Sequence, residues 1–388
     1  MMETKTYNWE IVRFRDCVSY SGTGLDAIKR APLFDYDTGI RCSRIQDLSQ
    51  NKPFHEWAFT KTSDKDYKKY QLKKDDILLA RTGATIGVSY KIQETLNAVH
   101  NNGTIKFRFN SKVDVTFMYG LMQTESFLQY VDNISCVATQ PNLRIDVLQK
   151  FQFLLPPLPT QRGIASILST YDALIQNYKR QIAALQSAAS ELYKEWFVRF
   201  RFPCYKNAKF DNGLPVGWKV ASAKDIGEFV RGKNITADEM IKGNIPVISA
   251  GIEPSGYHNK ANVNGVSLTI SNSGANAGFL MINYSSIWAA DCSYCNTAKS
   301  IYFYYEMLNN MRVALFNLQQ GSAQPHVYAK DINKLKVLLP TKDLIAKADS
   351  AIKSFHNKIY LLQQQITNLT TQRDLLLPRL MSGKLSVE

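Results

Sequence analysis

The chain has 388 residues, a length that suits two or more domains better than one. Hydrophobic residues make up 45% of it, so cores can form and global disorder is not expected. The net charge of +14 favours a polyanionic partner, and nucleic acid is the usual one.

The sequence carries no sign of secretion or of membrane insertion. The first residues, from Met1 to Tyr7, lack the apolar segment of a signal peptide. No run of about 18 apolar residues is present, so no transmembrane helix is expected. The cysteines are scattered, which favours reduced thiols in a cytoplasm over a disulfide framework. They are Cys17, Cys42, Cys136, Cys204, Cys292 and Cys295.

One series of landmarks occurs twice and covers nearly the whole chain. Each copy passes a Trp, a loop with two glycines, a Gln-Pro pair, a Leu-Leu-Pro segment and a long helix. The paired landmarks are Trp9 and Trp218, Gly83 and Gly274, Gly87 and Gly278, Gln140 and Gln324, and Pro156 and Pro340. The offset is 209 at the Trp, 191 at the glycines and 184 from Gln-Pro onward, which indicates insertions in the globular parts only.

Both copies end in a heptad pattern, with apolar residues that alternate by four and three. The seam of the first helix contains Ile164, Leu168, Tyr171, Ile175, Tyr178, Ile182 and Leu185, and that of the second contains Ile352, Phe355, Ile359, Leu362, Ile366 and Leu369. A seam of about 40 residues is about 60 Å long and needs an equally long partner. The economical partner is the other helix of the chain. Alternation of globular and helical parts favours antiparallel pairing, although the seam alone does not fix it.

The pattern predicts an α+β chain of two mixed globular domains in tandem repeat, separated by two long helices that pair as an antiparallel coiled coil. The predicted domains are residues 1–155 and 206–340, and the helical regions are 156–205 and 341–388. Strands are expected at 75–80, 104–109 and 265–270, and helices near 117–122 and 306–311. Pro156, Pro157 and Pro159 are expected to precede the first helix, and Pro340 the second.

Residue patterns of a catalytic or metal site were not found, so neither kind of residue is predicted. The sequence has no phosphate-binding Gly-x-x-x-x-Gly-Lys-[Ser/Thr] loop and no Asp/Asn-Pro-Pro-aromatic tetrapeptide of a base-modifying methyltransferase. Cys292 and Cys295 form a single Cys-x-x-Cys, whereas zinc would need a second pair. They are interpreted as two ordinary thiols near a strand.

Candidate DNA contacts are the basic and polar residues of loops at matched positions. Arg81 and Asn272 occupy equivalent loops, and Arg can read guanine while Asn can read adenine. The alternative is that these loops serve only a turn and that the basic segment 65–74 is a solvated loop. The candidates are Lys29, Arg30, Lys68, Lys69, Arg81, Thr82, Gly83, Lys91 and Gln140 in the first copy, and Arg231, Lys233, Asn234, Asn272, Ser273, Gly274 and Gln324 in the second.

Four segments, in this order, resemble the conserved regions of type I restriction-modification specificity subunits. Residues 154–165 resemble the Pro-rich start of the central conserved region, and 192–203 its end. Residues 214–218 resemble the start of the second recognition domain, and 375–385 the C-terminal region. The chain departs from the family pattern at Thr160-Gln161, where the family has Glu-Gln, and after Pro340, where Pro-Pro-Leu and Glu-Gln are missing.

The resemblance implies a non-catalytic DNA-recognition subunit. Each globular domain would be a target recognition domain that reads one half of a bipartite, asymmetric site in double-stranded DNA, and the helices would set the spacer. Two methyltransferase subunits would bind and supply the S-adenosylmethionine chemistry, and this chain would hold no cofactor. Restriction subunits could join that complex. The alternatives are a coiled-coil interaction scaffold and a decayed specificity subunit without DNA-reading activity.

Overall fold

A computed structural model describes residues 9–50, 52–135, 142–321 and 324–387. The chain forms two compact units. Unit 1 comprises residues 1–175 and 367–388, and unit 2 comprises residues 176–366. Each unit therefore contains one globular part together with segments of both long helices. Within the described residues, no helix is long and apolar enough to cross a membrane.

Unit 1 is a mixed α and β structure with short elements. Its strands are β1 Glu10–Arg13, β2 Val18–Thr23, β3 Leu33–Phe34, β4 Ile40–Ser43, β5 Phe59–Thr60, β6 Ile77–Ala80, β7 Ser89–Lys91, β8 Ala98–His100, β9 Thr104–Phe109 and β10 Gln152–Leu155. Its helices are α1 Phe14–Cys17, α2 Ile45–Ser49, α3 Asp64–Tyr70, α4 Val115–Leu121, α5 Glu125–Ser135 and α6 Ile145–Leu148.

Three sheets build unit 1. An antiparallel sheet has the order β2-β9-β6-β7, and a second sheet has the order β3-β5-β4-β8 with β4 parallel to β8. Strands β1 and β10 form a separate antiparallel ribbon, in which Glu10 pairs with Leu155. The expected strands at 75–80 and 104–109 correspond to β6 and β9. Strand β6 starts only at Ile77 because Asp75 adopts a positive φ of 68°.

The first long helix is α7 Leu158–Phe197. The helix begins earlier than expected. Pro159 was expected to precede it but lies in its first turn, and only Pro156 and Pro157 precede it. The first turn tolerates proline because its N–H groups have no partner inside the helix.

Unit 2 repeats this layout. Its strands are β11 Phe210–Asp211, β12 Leu214–Pro215, β13 Lys219–Ser222, β14 Val230–Arg231, β15 Ile245–Ile248, β16 Gly256–His258, β17 Ser267–Ser271, β18 Leu280–Asn283, β19 Trp288–Ala289, β20 Cys292–Cys295 and β21 Lys336–Leu339. Its helices are α8 Ile301–Asn310, α9 Arg312–Phe316 and α10 Ala329–Lys334, and the second long helix is α11 Lys342–Met381.

Three sheets of unit 2 correspond to those of unit 1, and strands β11 and β12 form an additional ribbon. The antiparallel sheet β14-β20-β17-β18 corresponds to β2-β9-β6-β7, and β13 pairs with β21 as β1 pairs with β10. In the sheet β16-β15-β19, strand β15 is parallel to β19, as β4 is to β8. The duplication inferred from landmarks is therefore present in the strand pairing, and the expected strand at 265–270 and helix near 306–311 correspond to β17 and α8.

Both long helices contribute to the core of each unit, where they run antiparallel. In unit 1, Ile164 and Leu168 at the start of α7 share a buried cluster with Leu377 and Leu380 at the end of α11. The helices are also joined there by an ion pair, with Arg373 Nη1 2.7 Å from Asp172 Oδ1. The antiparallel pairing favoured by the sequence is thus confirmed.

In unit 2 the opposite ends of the helices meet. Tyr193 and Phe197 from the end of α7 lie in one cluster with Ala348 and Ile352 from the start of α11 and with Phe303 of α8. Across both helices, every seam residue named from the heptad pattern is buried or half-buried. The apolar stripe of each helix is therefore buried by helix pairing and by the globular cores.

A buried polar network fastens α8 to α11 in unit 2. Asp349 accepts hydrogen bonds from the backbone N–H groups of Tyr302 and Phe303, both at 2.9 Å, and so caps a helix whose own N-terminal residue provides no side-chain cap. Burial raises the pKa of Asp349. Nearby, His356 Nε2 lies 3.2 Å from Glu306 Oε1, and both side chains are buried.

The shared core predicts a sharp difference between two apolar residues of α11. Ile352 is fully buried and Leu361 is 56% exposed. We expect Ile352→Ala to lower the free energy of unfolding by about 2–5 kcal/mol through lost burial and a cavity. Leu361→Ala should change it by less than about 0.5 kcal/mol. Urea unfolding, with amide exchange used to assign the transition of unit 2, measures both, and equal losses would contradict the helix pairing.

Candidate nucleic-acid interface

In unit 1, the loop after β6 is tied to two other backbone segments. The N–H of Arg81 donates to the carbonyl of Gly103 at 3.0 Å, and the N–H of Leu143 donates to the carbonyl of Arg81 at 2.9 Å. Thr82 pairs with Asn142 in an isolated antiparallel bridge. The glycine loop and the segment that follows the first Gln-Pro landmark are therefore neighbours in space.

The same framework is found in unit 2, at the equivalent positions. The N–H of Asn272 donates to the carbonyl of Asp291 at 3.3 Å, and the N–H of Val327 donates to the carbonyl of Asn272 at 2.9 Å. Ser273 pairs with His326 as Thr82 pairs with Asn142. The two units thus present different side chains on one duplicated backbone scaffold.

The glycines of these loops are required by backbone conformation. Gly83 and Gly274 have φ angles of 77° and 75°, and Gly87 and Gly278 have 89° and 86°. A side chain is strained in this left-handed region. A Cβ added at Gly83 or Gly274 would meet nothing within 4 Å, so these two glycines serve the turn and not a close contact.

The Arg81 side chain is held along one edge. Its Nε and Nη2 donate to the side-chain oxygen Oδ1 of Asn142, at 2.9 and 2.7 Å. The side chain is half-buried, and burial lowers its pKa. Asn142 was not predicted as a site residue. Its position directly after the first Gln-Pro landmark, where the second copy has His326, was the signal that could have indicated it.

The basic residues around α3 form a second group in unit 1. Arg30 forms an ion pair with Asp66 on α3, and Arg30 Nε lies 3.2 Å from the Asp66 carboxylate. Lys29, Lys68 and Lys69 are exposed. The structure therefore brings the turn that contains Lys29 against the helix that carries Lys68 and Lys69.

One further candidate of unit 1, Lys91, does not join these groups. Lys91 is 13% exposed, its Nζ donates to Thr116 Oγ1 at 2.5 Å, and it lies 3.7 Å from Asp75 Oδ1. This cation is satisfied by its own unit. Gln140 lies outside the described residues.

A buried lysine, which the sequence did not single out, positions α3. Lys106 of β9 is fully buried, and its Nζ donates to the carbonyls of Lys69 and Gln71 at 3.3 and 3.1 Å. Burial lowers the pKa of Lys106 to about 8, opposed by the Asp76 carboxylate 4.0 Å away. Because this ammonium binds carbonyls at the end of α3, it fixes the helix from which Lys68 and Lys69 project.

Five of the predicted residues of unit 2 line one cavity of about 220 Å³, beside the glycine loop of that unit. They are Arg231, Asn234, Asn272, Ser273 and Gln324. The lining residues that sequence reasoning missed are Asp291, Ser293, His326, Val327, Tyr328 and Ala329. Lys233 is exposed two residues after Arg231, while Gly274 forms the adjacent turn.

Hydrogen bonds inside this cavity limit what its side chains can offer. Ser293 Oγ donates to Asn272 Oδ1 at 2.7 Å, and Ser273 Oγ donates to the carboxylate of Asp291. Bidentate reading of adenine needs both the oxygen and the nitrogen of an Asn amide. Asn272 therefore offers its Nδ2 and one remaining lone pair of its Oδ1, and the bond from Ser293 fixes the orientation of its amide.

The Cys-x-x-Cys pair lies on a strand, as two buried thiols. Cys292 and Cys295 belong to β20, and burial raises the pKa of Cys292 to about 12. In the part of the chain that the structure describes, no group of three or more His, Cys, Asp or Glu side chains is arranged to hold a metal ion.

Comparison with known proteins assigns the family. The sequence model of the type I restriction modification DNA specificity domain matches residues 8–187 and 215–371. The chain is 28% identical over 305 residues to the MjaIX specificity subunit of a type I restriction enzyme from Methanocaldococcus jannaschii, which covers 70% of this chain and 69% of that protein. It is 21% identical over 414 aligned positions to the MjaVIII specificity subunit of the same organism, which covers 98% and 94%.

A solved structure shows the same fold. The crystal structure of a type I restriction-modification S subunit from M. genitalium aligns over 98% of both chains with a TM-score of 0.60 and 16% identity. Two specificity domains joined to paired long helices define a DNA-recognition subunit. The chain belongs to the type I restriction-modification DNA specificity family and is a DNA sequence-specificity subunit of that class.

The buried ammonium of Lys106 predicts a pH dependence of stability in unit 1. Between about pH 8 and 10.5, the unfolded chain keeps the Lys106 proton and the folded chain does not. Since the unfolded state binds more protons there, the free energy of unfolding should rise with pH over this range. Lys106→Met should lose this rise.

Urea unfolding at pH 7.5 and 9.5 would compare the wild type, Lys106→Met and the exposed-lysine control Lys112→Met. The control should keep the wild-type dependence on pH. If wild type and Lys106→Met shift in parallel between the two pH values, Lys106 is protonated throughout and the interpretation is wrong.

Proposed function

We propose that each unit reads one half of a bipartite, asymmetric site in double-stranded DNA. The observation that carries this proposal is the duplicated loop scaffold, which presents Arg81 and Asn142 in unit 1 but Asn272 and His326 in unit 2. One scaffold places side chains comparably, while different side chains offer different hydrogen-bond patterns to base edges. The two half-sites should therefore differ in sequence.

Phosphate contacts would come from the exposed cations beside these loops. In unit 1 they are Lys29, Lys68 and Lys69, with Arg30 shared with Asp66, and in unit 2 they are Arg231 and Lys233. A net charge of +14 supports such contacts, and each neutralised phosphate steepens the salt dependence of binding. We assign Lys91 to internal support, because Thr116 and Asp75 already satisfy it.

The long helices, in this proposal, set the spacer between the half-sites and bind two methyltransferase subunits, a complex that restriction subunits can join. This chain is not a catalyst. We assign S-adenosylmethionine to the methyltransferase subunits, because this sequence has no Asp/Asn-Pro-Pro-aromatic tetrapeptide of a base-modifying methyltransferase. We assign the activity to the cytoplasm, where reduced thiols persist.

There are two alternatives to this proposal. A coiled-coil scaffold would explain α7 and α11 but not the basic charge or two elaborate loop systems. A decayed specificity subunit would keep the fold and lose DNA reading. Both predict that the chain directs no sequence-specific methylation, so one experiment separates them from the proposed function.

We predict that this chain, with its neighbouring methyltransferase subunit in a methylation-free host, directs methylation of adenines in one split motif. Replacing residues 1–150 with the first recognition domain of another family member should change one half of that motif only, because each unit has its own reading loops. Sequencing that maps modified adenines gives both results.

The controls are each subunit expressed alone, which should leave the DNA unmodified. Methylation by this chain alone would reveal an active site within it. A change in both halves after the exchange would contradict independent reading, and no split motif in any arm would favour the scaffold or the decayed subunit.

The helices predict a spacer that can be lengthened. One heptad inserted into both α7, after Ile175, and α11, after Ile366, keeps the seam and adds about 10 Å, the length of about three base pairs. The methylated motif should keep both halves and gain about three base pairs of spacer, or activity should be lost. Full activity with the original spacer would contradict the proposal that the helices set the spacer length. The control is insertion of the heptad into α7 alone, which breaks the seam.

A further inference from the structure

Arg81 is a half-buried cation without an acidic partner in the described chain. Its side chain donates hydrogen bonds to the neutral amide of Asn142, and burial lowers the pKa of Arg81. The adjacent sequence 136–141 contains no Asp or Glu. A partly desolvated guanidinium without a counter-charge costs free energy, so such a group is suited to an external ligand rich in acceptors.

The hydrogen bonds to Asn142 determine which edge of the guanidinium is available. Nε and Nη2 form the side edge, and both donate to Asn142 Oδ1. A guanidinium has five N–H groups, and the parallel pair on Nη1 and Nη2 at its far end remains available to donate to a ligand. That pair matches two adjacent acceptor atoms, as on the O6 and N7 edge of guanine or on a phosphate.

The position of Arg81 favours the base over the phosphate. Its backbone is bonded on both sides, to Gly103 and to Leu143, and its side chain is fixed by Asn142. Reading a base edge requires this precision, whereas flexible lysines suffice for phosphates. The equivalent residue of unit 2 is the uncharged Asn272. A contact to the DNA phosphates made by both units would need a cation at both positions, and this scaffold has one only in unit 1.

We propose that Arg81 reads a guanine in the half-site of unit 1 through the outer N–H pair of its guanidinium, and that Asn142 is the positioning residue that aims it. The proposal deepens the proposed function and rests on it. It names one base of the target and a specificity residue that makes no base contact itself.

The test maps methylated adenines for the full-length chain expressed with its methyltransferase subunit. The variants are Arg81→Lys, which keeps the charge and loses the planar fork, Asn142→Ala, and Asn142→Asp, which keeps an acceptor. Arg15→Ala is the control, because that arginine is exposed and lies beside Asp16. The exchange of residues 1–150 identifies the half-site that unit 1 reads.

We expect a guanine in that half-site, and in Arg81→Lys a loss of preference of about 5- to 140-fold at that single position, the value of one bidentate base contact. Asn142→Ala should relax the same position, Asn142→Asp should restore it, and Arg15→Ala should leave the motif unchanged. The other half-site should not change in any variant.

A binding measurement with the assembled complex keeps the test independent of folding defects. Replacing that guanine by 7-deazaguanine removes the N7 acceptor, so wild-type binding should weaken, while binding by Arg81→Lys should weaken little further.

A wild-type half-site without guanine would overturn the assignment and leave the proposed function intact. If Arg81→Lys instead lowers DNA affinity equally on all sequences and reduces the salt dependence of binding by about one phosphate contact, Arg81 contacts a phosphate. If the wild type methylated no split motif, both proposals would fail.

Discussion

The structure depends on the antiparallel pairing of α7 and α11, because neither globular part completes its core without both helices. In unit 1 the start of α7 and the end of α11 lie in the same buried cluster as the aromatic side chains Phe107, Phe117 and Phe127. In unit 2 the opposite ends do the same beside Phe303 and Tyr304. The apolar seam therefore links each globular part to both long helices, since the same buried clusters contain residues of all three.

The two units apply different polar chemistry to the same helix surface. Unit 1 joins its helices by Asp172 and Arg373, whereas unit 2 buries His356 against Glu306 and caps α8 with Asp349. Residues 172 and 356 are related by the 184-residue offset of the repeat. The solvent-accessible pair of Asp172 and Arg373 contributes little net stability, whereas a buried polar pair such as His356 and Glu306 can favour one helix pairing over another.

The duplicated scaffold explains how one fold can present two different sets of side chains. The four-stranded antiparallel sheet and the bridge between the glycine loop and the Gln-Pro segment occur in both units, and left-handed glycines form the turn at both places. What varies is carried on that framework: a guanidinium fixed by an amide in unit 1, and in unit 2 a serine donating to a carboxylate. Side chains have therefore diverged on a common backbone framework without changing the fold.

The sequence alone determined the duplication, the heptad seam, the positions of β6, β9 and β17, and the glycine loops, because these are periodic or local features. Tertiary structure decided the contacts between distant residues. Arg81 meets Asn142 across 61 positions, and Lys106 binds carbonyls 35 and 37 positions away. No local pattern encodes such contacts, since they arise only when strand pairing brings separate segments together. The orientation of Arg81 and the support of α3 therefore became visible only in the folded chain.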